Sequence, residues 1–423
     1  MNRMLKWRYV MLLIAVALSV STTAQSTETT VYAERVRSLQ VRPEGNRYAT
    51  PGLPVILYES PGAITVDFDV LGDDRDYLRY EIIHCNADWR PSQLSYMEYL
   101  DGFNEGTVDN YAFSGATTVH YVHYQLTIPN EQTRLLVSGN YLLKIYDEND
   151  GPDKPWLQCR FAVSEQTVPV AVNISGRTDV DYNRSHQQLE LALNVDKADV
   201  RDIFNDLIIV VEQNGRRDNA VVLDKPTRVS GRTLYYEHQP QLIFKAGNEY
   251  RRFETISTQF TPMGVDAVEW HSPYYNFYLT TDRSRAAESY HYDETLGGAY
   301  VIREYNRDNG DVDADYVITH FSLEYPETPA FDFYIDGDFV QRRFADDSKM
   351  TYNAETQRYE RAMLLKQGAY SYQYLAVAKG TDTGRTDLIE GDKYETRNRY
   401  NVYVYERRPG ARYDRLLGVT TVL

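Results

Sequence analysis

The chain has 423 residues, of which 61 are acidic and 45 basic, and its formal charge is −16; that length allows two to four domains. The acidic balance argues against non-specific nucleic-acid binding, which needs Lys and Arg against phosphates, and against an anionic membrane surface. With 37 Tyr against 14 Phe and 4 Trp, and no long helical periodicity, the chain falls in the all-β class, since a phenol suits a half-buried pleated surface.

The start carries Arg3, Lys6 and Arg8, then an apolar run from Tyr9 to Val20, then Thr22-Thr23-Ala24 before Gln25. That order predicts a secretory signal peptide over 1–24. The run is shorter than the roughly 20 residues of a membrane span, and no later stretch approaches that length. The mature protein is expected to be exported, without direct membrane insertion. No cysteine follows the run closely, which disfavours a lipid-attached start. Cys85 and Cys159 are the only cysteines. The compartment permits a disulfide between them, but both sit on predicted strands and also fit two buried thiols; spacing leaves the choice open.

Three β-sandwich domains in series are expected. The first, 25–164, has strands from Val55 to Leu57, Ile64 to Val70, Leu78 to His84, Val119 to Ile128, Tyr141 to Tyr146 and Trp156 to Val163. In the second of these, Ile64, Val66, Phe68 and Val70 alternate with Thr65, Asp67 and Asp69, a half-buried pattern. Ser164 to Pro169 reads as a junction. The second domain, 165–283, has about eight strands, including Leu207 to Val211, with a turn at Asn214-Gly215, where positive φ is needed. Asp282 to Gly298 is polar and reads as a connection. The third domain, 284–423, has strands from Tyr316 to Leu323 and Phe331 to Ile335. Arg358 to Leu365 and Tyr370 to Ala376 read as a hairpin through Lys366-Gln367-Gly368. Tyr400 to Tyr405 reads as the last strand, with a polar tail from Glu406.

Chemistry-bearing clusters are few. His84, Cys85 and Asp88 offer thiol, base and carboxylate, but neighbours on a strand point to opposite faces, so His84 does not reach Cys85 as thiolate activation requires. His120 and His123 fail as a metal pair for the same reason. Asp311, Asp313 and Asp315 begin like a calcium loop, yet the Gly and Glu positions that should follow hold Tyr316 and Ser322. No phosphate-binding loop, nucleophile elbow or zinc-protease motif occurs. The expectation is no catalysis, no cofactor, no metal and no small-molecule substrate.

Tyr77 to Gly115 is the least regular stretch. About thirty residues separate two strands, beyond the roughly 12–15 usual for a structureless loop. Trp89, Tyr96, Tyr99, Phe103, Tyr111 and Phe113 crowd into it. The words His84-Cys85-Asn86-Ala87-Asp88-Trp89 and Glu98-Tyr99-Leu100-Asp101-Gly102-Phe103-Asn104 fall here. Tyr111-Ala112-Phe113-Ser114, His120-Tyr121-Val122-His123-Tyr124 and Ser138-Gly139-Asn140-Tyr141 follow. Together they resemble the plug protein of the type IX secretion system of Bacteroidota, over about Val31 to Val163. The resemblance implies a periplasmic, outer-membrane-associated all-β subunit that occludes the pore of a large outer-membrane β-barrel translocon. Within the loop, Tyr96, Tyr99 and Tyr111 are expected to contact that partner, and Trp89 and Phe103 to anchor the loop to its own domain. The alternative is a glycan-binding sandwich protein of the periplasm or cell surface. The tyrosine content suits it, as does a similarity of Phe331 to Leu375 to the early-set sandwiches found beside glycogen-branching enzymes.

Overall fold

The computed structural model describes residues 26–46, 52–223 and 225–423; the signal segment expected over 1–24 lies outside them. The described chain is nearly all β, with α-helix confined to two four-residue turns. The main strands of the first unit are β1 (Val36–Pro43), β2 (Ile64–Leu71), β3 (Leu78–Cys85), β4 (Tyr121–Ile128), β5 (Gly139–Asp147) and β6 (Leu157–Ser164). β6, β5 and β3 lie side by side in one sheet, and β1, β2 and β4 in another. Their apolar faces meet in a core built around Phe68, Tyr80, Ile82, Tyr141 and Phe161.

The second unit begins with β7 (Val170–Ser175), β8 (His186–Asn194), β9 (Leu207–Gln213) and β10 (Thr233–Tyr236). β7, β8 and β10 share a sheet. The third unit follows, with β11 (Val265–His271), β12 (Tyr274–Leu279), β13 (Tyr316–Glu324), β14 (Phe331–Asp336), β15 (Arg358–Lys366) and β16 (Gly368–Ala378). The chain then returns to the second unit with β17 (Tyr400–Glu406) and β18 (Arg415–Val422). β17 pairs antiparallel with β9 along its whole length, and β18 with β17.

The units are therefore nested rather than serial, and the split expected at 283/284 does not follow the cores. Phe253, Val265, Phe277 and Leu279 pack in the third core, whereas Tyr400, Val402, Val404 and Leu417 pack in the second. Two readings fall with it. Arg415–Val422 is a strand, not a tail, and Glu406, expected to begin that tail, is buried at the end of β17. β15 and β16 do not form a hairpin: β15 pairs with β13, and β16 pairs with β14 in the opposite sheet. Gln367 crosses between the sheets, tied by Gln367 N to Asp315 O (2.8 Å) and Asp315 N to Gln367 Oε1 (3.0 Å). Alternation identifies a strand and its inward face; it does not name the strand's partner.

The cysteines are free thiols, and the register explains why. Cys85 stands opposite Asn140 on β5, and Cys159 opposite Leu143. An odd offset of three residues on the intervening strand puts the two side chains on opposite faces. Burial pushes the Cys85 thiol up to about 12, and that of Cys159 up as well.

β2 is buried on both faces. Thr65, Asp67 and Asp69 alternate outward but are covered, because the third unit lies over them. Asp69 Oδ2 accepts hydrogen bonds from Lys366 Nζ and Tyr316 Oη, both at 2.6 Å, and Asp69 and Lys366 are each about 1% exposed. His123 bonds Asp69 at 2.8 Å, while Arg42 pairs with Asp67 at 2.9 Å. Burial opposes charge on Asp69, but Lys366 and His123 outweigh it and hold the carboxyl below its ordinary range.

Candidate interaction surface

The loop after β3 starts as a tight turn. Asn86 N bonds Arg90 O and Trp89 N bonds Asn86 O, both at 2.9 Å, with Trp89 at φ +65°. A non-glycine residue in that region is held there by its surroundings. Here the surroundings come from the C-terminal hairpin. Ala87 N donates to Asp414 Oδ2 (2.9 Å), and the Asp414 carboxylate is itself forked by Arg407 at 2.5 and 2.6 Å. Asn140 Nδ2 donates to Asn86 O, and Tyr405 Oη to Asn140 Oδ1, both at 2.9 Å. Two guanidiniums approach the Trp89 ring, Arg160 at 4.1 Å and Arg217 of the second unit at 5.4 Å from the centroid. Its anchorage is thus to the seam between units rather than to its own core.

His84 is enclosed by Tyr99, Tyr141 and Tyr413, with ring centroids 5.8, 4.9 and 5.3 Å away. Nε2–H donates to Ser138 O (3.2 Å), Nδ1 has no partner, and burial pushes its pKa down to about 4, so the ring is neutral. Gly139 passes so close that a Cβ there would meet His84 Nε2 at 2.5 Å and Asp414 O at 2.9 Å. The sequence words around His84 and Gly139 therefore describe one joint. Cys85 and Asp88 take no part in chemistry with His84: Asp88 accepts from Arg90 N at 3.1 Å.

The loop's far end is tied to the third unit. Gly115 N donates to Val312 O (2.8 Å), and Asp315 accepts from Thr118 N (2.8 Å) and Val119 N (3.0 Å). The carboxylate that read as part of a calcium run is a cap for this backbone. Among the described residues no group of three His, Cys, Asp or Glu is placed to hold a metal ion.

Between these ties the loop follows the open edge of β3. Asn104 Oδ1 accepts from Ile82 N, Gly106–Thr107 pairs with Arg79 and Tyr80, and Val108 N bonds Leu78 O. Covering that edge protects it from unwanted pairing. Side chains here sort differently from the expectation. Tyr99, expected as a partner contact, is 6% exposed and donates its hydroxyl to Ile82 O (3.1 Å). Phe103, expected as an anchor, is 79% exposed. The two swap because Tyr99 ends a one-turn helix begun by the Ser95–Glu98 capping box, which turns it inward, whereas Phe103 follows the edge pairing of Leu100–Gly102 with Thr133–Leu135 and stands clear. Tyr111 is half-buried against the first core, with Arg75 4.2 Å from its ring centroid. Tyr96 is exposed, as is Met97, which sequence reasoning passed over. Leu136 is exposed too, and its backbone N bonds Tyr99 O at 2.9 Å. Tyr96, Met97, Phe103 and Leu136 are exposed at intervals along the loop and the segment it pairs with, a line of apolar side chains termed the ridge.

Residues 36–165 match the family model described as Type 9 secretion system plug protein 1st domain. These residues form a type 9 secretion system plug protein 1st domain. Comparison with curated proteins finds no match. Among solved structures, a hypothetical protein from Parabacteroides merdae ATCC 43184 is similar, with 42% identity and a TM-score of 0.91. The match covers 93% of this chain and 98% of that one. The plug-family segment ends at the close of β6, so His84, Gly139 and the ridge lie inside it, whereas Tyr413 and Asp414, which complete the joint, lie outside it. The presence of this domain supports a plug role related to type 9 secretion.

Proposed function

We propose that this plug occludes the lumen of a large outer-membrane β-barrel translocon from the periplasmic side. The match of residues 36–165 to the plug family carries the reading. The fold suits it mechanically. The family segment is bound to the other two units at both ends of its loop, so a force on the plug domain is shared by a three-core body. The exposed Tyr96, Met97, Phe103 and Leu136 offer apolar side chains to a partner, and exposed apolar surface of this kind suits an interface. A stable interface buries about 1,200–2,000 Å², so the ridge is the centre of a larger footprint. Release requires an affinity that differs between barrel states. The test is isolation of a tagged chain from a native-type host after mild detergent extraction, with mass spectrometry of what accompanies it. A stoichiometric outer-membrane barrel is expected, together with greater permeability of the outer membrane to bulky antibiotics when the chain is deleted. A chain that purifies alone, from cells whose permeability is unaffected by its loss, overturns the reading.

A further inference from the structure

The third unit carries a groove of about 1,040 Å³, lined by Tyr278, His320, Arg358, Glu360 and Ala362 among others. Its floor is set by the register of four adjacent strands. Ala267 on β11 stands beside Tyr278 on β12, Tyr278 beside His320 on β13, and His320 beside Ala362 on β15. The row reads small, ring, ring, small. The Tyr278 and His320 rings are 4.4 Å apart and within 11° of parallel, close to the spacing of neighbouring strands. Stacking along the inter-strand direction leaves the far face of His320 looking over Ala362, which is exposed. Among the described residues Tyr278 is the one ring stacked on His320, and the position over Ala362 is open to a third.

The surroundings indicate what kind of ring. His320 Nε2 is bonded to Asn276 Oδ1 at 2.8 Å, and burial, with His271 nearby, lowers its pKa, so it presents a neutral π face. The rim beyond Ala362 is polar and already fixed. Arg358 Nη1 donates to Thr281 Oγ1 (3.0 Å), and Glu360 accepts from Asn353 Nδ2 (3.0 Å) and Thr356 Oγ1 (2.7 Å). Rotamers held in advance lower the cost of binding. Arg358 against Glu360 and Asp266 gives both signs of charge, so the rim does not select an ion. An apolar peptide anchor would strip water from these groups without replacing its hydrogen bonds, which costs free energy. A pyranose meets both demands: its C–H face packs on a π face, and its hydroxyls donate to carboxylates and accept from guanidinium and amide groups.

We propose that this groove binds a neutral oligosaccharide, with one pyranose ring against His320 above Ala362, its hydroxyls on Glu360, and the adjoining ring of the chain toward Arg358. The site is separate from the plug ridge and does not depend on the pore reading. The test is calorimetric titration of the full chain with maltohexaose and with chitohexaose, which differ in linkage and substituents. Binding of at least one, with a Kd of about 1 mM or tighter, is expected. Ala362→Trp, which fills the third ring position from within, should weaken it about tenfold or more, and His320→Ala should do the same by removing the platform. If Ala362→Trp fails to fold, His320→Ala and Glu360→Gln carry the same comparison. The proposal is overturned if neither hexasaccharide binds, if both folded variants bind like the parent, or if an extended Trp-containing peptide binds at the groove and the sugars do not.

Discussion

The first unit is held to its neighbours by two seams of opposite character. Against the third unit the seam is dry. Asp69 and Lys366 meet with about 1% exposure each, ringed by Tyr121, Tyr316, His123 and the Arg42–Asp67 pair. Against the second unit the charges are half wet: Asp414 is buried, but Arg407, which forks it, is 49% exposed. Glu165 and Glu406 likewise share Arg415 at 2.5 and 2.8 Å. A dry pair is weak evidence for net stability, yet losing one member leaves an uncompensated buried charge. A wet pair is screened by salt and contributes less. The dry seam therefore fixes how the units are assembled, and the charge pairs of the wet seam, which flank a buried cluster of Ala162, Tyr403, Tyr405 and Leu416, are the ones that salt can loosen.

The largest expected effect is at the dry seam. Asp69→Asn or Lys366→Met alone should lower unfolding free energy by about 3–5 kcal/mol, measured by denaturant titration. The double variant Asp69→Asn/Lys366→Met should recover much of that loss. Single variants within about 0.5 kcal/mol of the parent, the range of ordinary surface changes, would break the contrast between the seams.

A pH series sharpens it. His123 faces Asp67, Asp69 and Lys366; burial and Lys366 disfavour its charge, but the Asp67 carboxylate 3.7 Å away and the hydrogen bond to Asp69 outweigh them and raise its pKa from 6.5 to about 9. A raised folded-state pKa gives stability that is complete below the unfolded value and is lost as pH rises through the folded one. Stability should therefore fall between pH 6.5 and about 9, and His123→Gln should flatten that fall. An identical alkaline slope in the variant would remove His123 from the seam's energetics.

At the wet seam, Asp414→Asn weakens the acceptor of Ala87 N and the Arg407 fork. The expected loss is about 1–3 kcal/mol, diminished in high salt, with faster hydrogen exchange at the amides of Ala87 and Trp89. Unchanged exchange would mean that the turn holds itself.

The sequence carried the strand content because Tyr, Val and Ile alternation survives in every unit. It did not carry the nesting. β18 reads Arg-Leu-Leu-Gly-Val-Thr-Thr-Val, a legible strand that pairs with β17, but β17's other neighbour is β9, nearly two hundred residues upstream, and no local pattern encodes that. Asp67 and Asp69 looked solvent-facing because periodicity marks a polar face without saying what covers it. The aromatic loop was legible as unusual, and the roles within it were not. Whether a ring turns inward depended on a one-turn helix at Tyr96–Tyr99 and on edge pairing that runs through Leu100–Gly102. The Ser95–Glu98 capping box was the one local signal that could have placed Tyr99 inside.

The smallest effect on stability is expected on the ridge, and there the comparison turns from assembly to function. Phe103 and Met97 are 79% and 69% exposed, so Phe103→Ser and Met97→Ser remove almost no buried contact. Each should leave unfolding free energy within about 0.5 kcal/mol of the parent. If the ridge is the centre of the barrel interface, truncating a side chain there costs about 2 kcal/mol or more of association, a weakening of about thirtyfold, read as loss of the barrel from the purified chain. Tyr99→Ala supplies the opposite pattern. Its ring closes over His84 and its hydroxyl bonds Ile82 O, so stability should drop, with any loss of association following from the loosened loop. Phe103→Ser that melts normally and retains the barrel fully would move the interface off this loop, toward the exposed faces of the other two units, while leaving the two seams and the three-core body as they are.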